Sequence, residues 1–144
     1  MSGVIIRLLE PNDSAEDIGE LFEQLTDEFE GSVQIARIAY AQHCYSFVGV
    51  AEEGDIVAFG ALTVSFIPSK GGLVGELEDI VVHSDFCGQG IGTRLVQELL
   101  HTAEQLLVDT VYLTSNRNRT EARAMYTDKF GFEKVNTDLF CKKL

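Results

Sequence analysis

Apolar positions along this chain switch repeatedly between the two-residue period of a strand and the three-to-four-residue period of a helix, a pattern that predicts an α/β (α+β layered) fold. Val4 to Leu8 reads as an opening strand. Pro11, Asn12, Asp13 and Ser14 form a turn into a helix cap, with Ser14 and Asp17 at capping-box spacing. Ile18, Leu21, Phe22, Leu25 and Phe29 line one helical face, and Gly31 is expected to end that helix. A second, shorter helix is expected over residues 32–43. Tyr45 to Ala51 and Ile56 to Phe66 read as the arms of a hairpin across Glu53, Gly54 and Asp55, and Gly71 and Gly72 as a flexible connection into a strand beginning near Leu73. Leu95, Leu99, Ala103 and Leu106 form the buried stripe of a long helix, and Glu133 to Lys142 reads as a closing strand. No repeat, low-complexity tract or linker interrupts the pattern, so residues 1–144 are expected to form one domain.

The stretch from Glu76 to Gly92, ELEDIVVHSDFCGQGIG, joins a β-forming run to glycines at 88, 90 and 92, where a strand should turn into a helix. Glycines there let the backbone approach a ligand and aim consecutive N–H groups at it, while the helix adds its positive dipole end. That chemistry suits a pyrophosphate; a tight turn without a ligand is the plainer alternative. The dinucleotide fingerprint does not fit, because the third glycine comes one position early and the loop lies past mid-chain. Nor does the P-loop, since Gly92 is followed by Thr93 and Arg94 with no lysine in place.

The sequence Cys87-Gly88-Gln89-Gly90-Ile91-Gly92 resembles the acyl-CoA-binding motif of the GNAT superfamily of N-acetyltransferases, with Cys87 where the motif has Arg or Gln. A second part of the resemblance lies downstream: a strand from Val111 to Thr114, a loop asparagine at Asn116, a short helix from Ala122 to Tyr126, and Gly131-Phe132 opening a last hairpin. Taken alone, Tyr126 reads as a core tyrosine with its hydroxyl at the surface. The resemblance runs from Ile6 to Leu144 and includes small single-domain enzymes that acetylate amino-sugar phosphates or aminoalkylphosphonates. It implies a GNAT fold, a mixed and mostly antiparallel sheet with a splayed parallel strand pair and flanking helices.

The resemblance also implies where acetyl-CoA, the cosubstrate, would sit. Backbone groups of Ile80, Val81 and Val82 would line the pantetheine arm. Amides of Cys87, Gly88, Gln89, Gly90, Ile91, Gly92 and Thr93 would hold the pyrophosphate, with Asn116 and Arg119 touching the cofactor from the second loop. The acetyl group would pass to a primary amine by direct attack in a ternary complex. Tyr126 would protonate the departing thiolate, and Glu78 would act as base or amine anchor. Glu76, Asp79 and water remain alternatives for the base. On a regular strand Glu76 and Glu78 share one face and Asp79 takes the other.

Charge narrows the partners. Eleven basic against 23 acidic side chains give a net charge of −12, which argues against nucleic acid or an anionic membrane as partner. CoA is also anionic, so the crowding of Arg94, Arg117, Arg119 and Arg123 in the two motifs points to local attraction. A small cationic amine suits the acidic surface; a protein or peptide amine, or a CoA-binding sensory module without transfer, are the other readings. Cys44, Cys87 and Cys141 are odd in number and share no metal-ligand spacing, so no metal is expected. The N-terminus lacks the basic start and cleavage site of a signal peptide, which predicts a cytoplasmic protein. Pairing through C-terminal strands would make it a homodimer.

Overall fold

The computed structural model describes residues 3–144, which cluster into two compact units meeting at Thr114 and Ser115. The larger holds a five-stranded sheet in the order β1-β2-β3-β4-β5: β1 (Ile5–Leu8), β2 (Cys44–Val50), β3 (Ile56–Ile67), β4 (Gly72–Val82) and β5 (Thr110–Leu113). Neighbours are antiparallel except β4 and β5, which run parallel. Helices α1 (Ala15–Leu25), α2 (Ile35–Ala39) and α3 (Ile91–Gln105) flank it. On one face Ile18 and Leu21 of α1 pack with Val48, Phe59, Ala61 and Val81. Gly60 points to the other face, where a Cβ would come within 3.0 Å of Leu95 and 3.2 Å of Leu99 on α3. Burial on both faces explains why β3 reads as a continuous apolar run from Ile56 to Leu62.

The bond pattern at β4 is irregular at one place, and the site depends on it. Phe59 pairs with Val81 and Ala61 with Glu78, so Gly60 alone faces both Asp79 and Ile80. This is a β-bulge. Asp79 carries it with φ +53°, a left-handed conformation seldom taken by a side-chain-bearing residue. The ladder to β5 runs only from Val74–Thr110 to Leu77–Leu113, whereas β4 continues to Val82. The strand pair thus begins parallel and ends before the bulge.

Several expected elements take different bounds. Ser14 does cap α1, its hydroxyl accepting the Asp17 N–H at 3.1 Å, but the Asp17 carboxylate accepts the Ile56 N–H of β3 at 3.0 Å and does not complete a capping box. Helix α1 stops at Leu25, not Gly31, because Thr26 turns extended and its hydroxyl accepts the Glu28 N–H at 3.2 Å. Phe29 rejoins the core edge-on to the Phe22 ring at 5.6 Å. Helix α2 spans five residues, shorter than the expected 32–43, with no side-chain cap at Gln34. The Gly71-Gly72 connection is a tight hairpin: the Lys70 and Gly71 N–H groups both donate to the Ile67 carbonyl at 3.0 Å. Leu106 caps α3 instead of extending its stripe, and Leu107 follows at φ +61°.

The smaller unit contains α4 (Thr120–Ala124), a π-helical turn from Met125 to Lys129, and Gly131 at φ +71°. The Phe132 N–H returns to the Tyr126 carbonyl at 3.0 Å, and the two rings meet edge-on at 5.9 Å. The expected strand over Glu133 to Lys142, and the hairpin it would close, do not form. A tight turn bonds Thr137 N–H to the Val135 carbonyl at 3.0 Å across Asn136, and strand propensity without a partner edge does not make a strand. The C-terminal pairing edge expected for a dimer is therefore absent from the described residues. Among those residues no helix is long and apolar enough to cross a membrane.

Asp79→Val places a β-branched residue at φ +53° in the bulge. It is expected to lower unfolding stability by ~1–3 kcal/mol, read from urea denaturation; unchanged stability would show that the bulge carries no strain.

Candidate active site

Past the bulge, β4 passes through a 3₁₀ turn, Ser84–Phe86, into the glycine loop and α3. Gly88 lies at φ +81° and Gly90 at φ +79°, and a Cβ at either would meet nothing within 4 Å. Both glycines are needed for backbone conformation, and the space over them is open. Gly90 is the N-cap of the 15-residue α3 and, lacking a side chain, makes no cap bond. A helix start leaves its first N–H groups without partners inside the helix, and the dipole adds positive potential there. These are the features a phosphate group requires, and they fit the pyrophosphate of an acyl-CoA.

Side-chain cations contribute less to this loop than the sequence suggests. The Arg94 guanidinium turns to the Val4 carbonyl at 2.8 Å and ties α3 to the first strand. Cys87, exposed, directs its Sγ to the carbonyls of Val82 (3.8 Å) and His83 (3.6 Å).

On β4 the structure brings Glu76, Glu78 and Asp79 together beside the bulge. The Glu78 carboxyl titrates above the ordinary carboxylate range, first because it is partly desolvated, then because Glu76 and Asp79 repel its charge and Glu76 hydrogen-bonds it. Asp79 is also raised by desolvation, although its residue surface remains exposed. The bulge resets the alternation so that Val81 joins the α1-side core, and its neighbour Ile80 is also buried because the sheet is covered on both faces. Val82, expected to offer backbone groups to a ligand, has its carbonyl engaged by Gln24 Nε2 at 2.8 Å. Gln24, together with Glu20 against His83, has no counterpart in the sequence-level reading; their i, i+4 spacing on the polar side of α1 was the available signal.

In the smaller unit, Tyr126 is 6% exposed and sits in the π-helical turn. Its phenol titrates above the usual tyrosine value because of burial, an effect partly opposed by the nearby Arg119 guanidinium. It is therefore held in the protonated form at neutral pH. Asn116 organises its own loop: Oδ1 accepts the Asn118 N–H at 2.9 Å and its carbonyl accepts the Arg119 N–H at 3.0 Å. Arg123 donates to the Arg117 carbonyl at 3.2 Å.

Residues 13–132 match the family model described as Acetyltransferase (GNAT) family. Among solved structures, glucosamine-6-phosphate N-acetyltransferase from Arabidopsis thaliana is 26% identical, with a TM-score of 0.81 over 96% of this chain and 97% of that one. An acetyltransferase from Trypanosoma brucei is 24% identical, with a TM-score of 0.79 over 97% and 99%. The enzyme AAC(6′)-Iy, solved in complex with a bisubstrate analogue, CoA-S-monomethyl-acetylneamine, is 20% identical with a TM-score of 0.80 over 99% of both chains. No curated protein sequence matches the chain. The α/β sheet with its single parallel pair, the glycine loop opening α3 and the family match over most of the sequence agree: the chain belongs to the GNAT acetyltransferase family and is an acetyl-CoA-dependent N-acetyltransferase.

Proposed function

We propose that the protein transfers an acetyl group from acetyl-CoA to the primary amine of a small cationic molecule, by direct attack in a ternary complex. The observation that carries the donor side is the start of α3, where the N-cap Gly90 makes no side-chain cap bond and two left-handed glycines lie under open space. Amides from Gly88 to Thr93 hold the pyrophosphate, the Cys87 N–H being directed to the Ser84 carbonyl at 3.5 Å, and β4 from Ile80 to Val82 lines the pantetheine arm. A donor placed there presents its thioester to an amine.

The acceptor side follows from charge. Before the glycine loop the positive side chains are Arg7, Arg37 and Lys70. Arg7 is committed to Asp13 through two bonds of 2.8 and 2.9 Å, and Lys70 donates to the Tyr112 hydroxyl at 2.9 Å over its ring. These commitments leave little to hold an acceptor phosphate, while three carboxyl groups cluster on β4. The small amino compound named for the Arabidopsis relative supports an amine of that size; the charge balance favours a cation without phosphate.

Glu78 takes the proton from the ammonium, directly or through water. A carboxyl raised by desolvation and by its acidic neighbours is a better proton acceptor than an exposed one. Tyr126, protonated at neutral pH, returns a proton to the departing thiolate. Asn116 and Arg119 contact the cofactor from their loop.

Thiol release from acetyl-CoA over a panel of amines tests the proposal as a whole, and acetylation of phosphorylated amino sugars in preference to polyamines would overturn the acceptor class. Gly90→Val, at φ +79°, is expected to weaken acetyl-CoA binding about tenfold or more in calorimetry; parent affinity would remove the loop from the site. Tyr126→Phe keeps the ring and its packing on Phe132, and kcat is expected to fall ~10²–10⁴-fold with acetyl-CoA affinity nearly intact. A parent rate would make the hydroxyl a bystander. Because a base must be deprotonated and the Glu78 pKa is raised, kcat/KM should decline as pH falls through that raised value. Glu78→Gln is expected to lower kcat/KM and abolish that acidic limb; a variant that keeps the limb would assign it to another group.

A further inference from the structure

Glu20 and Gln24 lie one turn apart on α1 and face the short segment joining β4 to the glycine loop. Gln24 grips that segment twice: Nε2 donates to the Val82 carbonyl at 2.8 Å, and Oε1 accepts the Ser84 N–H at 3.0 Å. Between those contacts, His83 places Nε2 3.2 Å from the Glu20 carboxylate, while its Nδ1 accepts the Asp85 N–H at 3.1 Å. The His83 N–H donates to the Val57 carbonyl of β3 at 2.8 Å. Residues 82 to 84 are thus held by α1 on one side and β3 on the other. Beyond them the chain passes through the 3₁₀ turn and Cys87, whose Sγ turns back to the Val82 and His83 carbonyls, into two left-handed glycines that add no side-chain anchor.

A side-chain amide presents a donor and an acceptor in one plane, which matches the acceptor of residue 82 and the donor of residue 84. Losing the ladder to β5 after Leu77 removes one constraint on the direction of β4, and the Gln24 grip restores one at its far end. Amides that are already aimed lose less freedom when they bind an anion.

We propose that Gln24 is a positioning residue for acetyl-CoA binding, fixing the point and direction in which the glycine loop leaves β4. The inference rests on the reading of that loop as the pyrophosphate site. The experiment measures acetyl-CoA affinity of the full chain by calorimetry for the parent, Gln24→Ala, Gln24→Glu and Gly90→Val, with steady-state kinetics on one confirmed amine. Gln24→Ala is expected to raise Kd and KM for acetyl-CoA about tenfold, the size of two lost hydrogen bonds, and to leave the KM of the amine unmoved.

Gln24→Glu separates positioning from packing. Its carboxylate still accepts the Ser84 N–H but has no donor for the Val82 carbonyl; once protonated, its O–H can donate there. The ratio of variant to parent Kd should therefore shrink between about pH 7.5 and about pH 4.5. Glu20, His83, Asp85 and Cys87, the titratable groups around the grip, are present in both proteins, so their own titrations cancel and the ratio reads the added carboxyl together with its coupling to them. Parent-like affinity in both Gln24 variants, with Gly90→Val weakened, overturns the inference and leaves the loop assignment standing. A weakened Gln24→Glu whose ratio is flat with pH also overturns it. Parent affinity in Gly90→Val overturns the loop assignment and the inference with it. Should Gln24→Ala not fold, the pH dependence of Gln24→Glu decides.

Discussion

The two-against-one pairing at Gly60 is the constraint on which the rest of the larger unit depends. Because Gly60 has no Cβ, Leu95 and Leu99 of α3 can come to where one would stand. The same residue faces both Asp79 and Ile80, so the strand that leads into α3 bends where α3 packs against its neighbour. The extra residue also resets which side chains point inward. Ile80 and Val81 are buried in succession, and Asp79 is turned out at a positive φ. Without it, Asp79 would follow Gly75 and Leu77 onto the buried α3 face, where an unpaired carboxylate is costly.

Electrostatics divides the work between backbone and side chains. A chain of net charge −12 must bind an anionic donor, and its one arginine on α3 is occupied by the Val4 carbonyl. In the proposed site, backbone amides and a helix dipole would solve this locally, because their field is concentrated within the first turn and the distributed surface charge is screened over about 8–10 Å in salt. The carboxylates of β4 act in the opposite sense. Partial desolvation, followed by repulsion from Glu76 and Asp79, raises Glu78, which supports the proposal that it accepts a proton from a cationic amine.

Much of the larger unit was legible in the sequence, for reasons that can be named. Continuous burial gives β3 an unbroken apolar run, and the spacing of Leu95, Leu99 and Ala103 marks α3. The glycine loop announces itself because left-handed φ values at Gly88 and Gly90 admit few other residues. The bulge was not legible: Asp79 is no glycine, and its left-handed φ is imposed by pairing with a distant strand. Thr26 ended α1 early through a local hydroxyl bond that periodicity does not register. The C-terminal segment alternated like a strand, yet Asn136 turned it. The Gln24 grip joins residues 58 positions apart, and the i, i+4 spacing of Glu20 and Gln24 on α1 marks a polar face without naming its partner.

The same division explains why reaction class is easier to read than acceptor. The proposed donor site is built from backbone geometry, which leaves glycines at fixed places whatever the surrounding side chains. The proposed acceptor site is built from side chains gathered from several strands: Glu78 lies opposite Ala61, and Glu76 opposite Thr63 on one side and beside Tyr112 on the other. Opposed residues share a face of the sheet, so these groups form one surface whose composition no single segment reveals. Lys70 is turned onto the Tyr112 hydroxyl at 2.9 Å, and Glu78 is raised first by desolvation and then by the charges of Glu76 and Asp79. In the proposed function a positive amine would relieve the repulsion at Glu78, whereas a phosphorylated one would add to it.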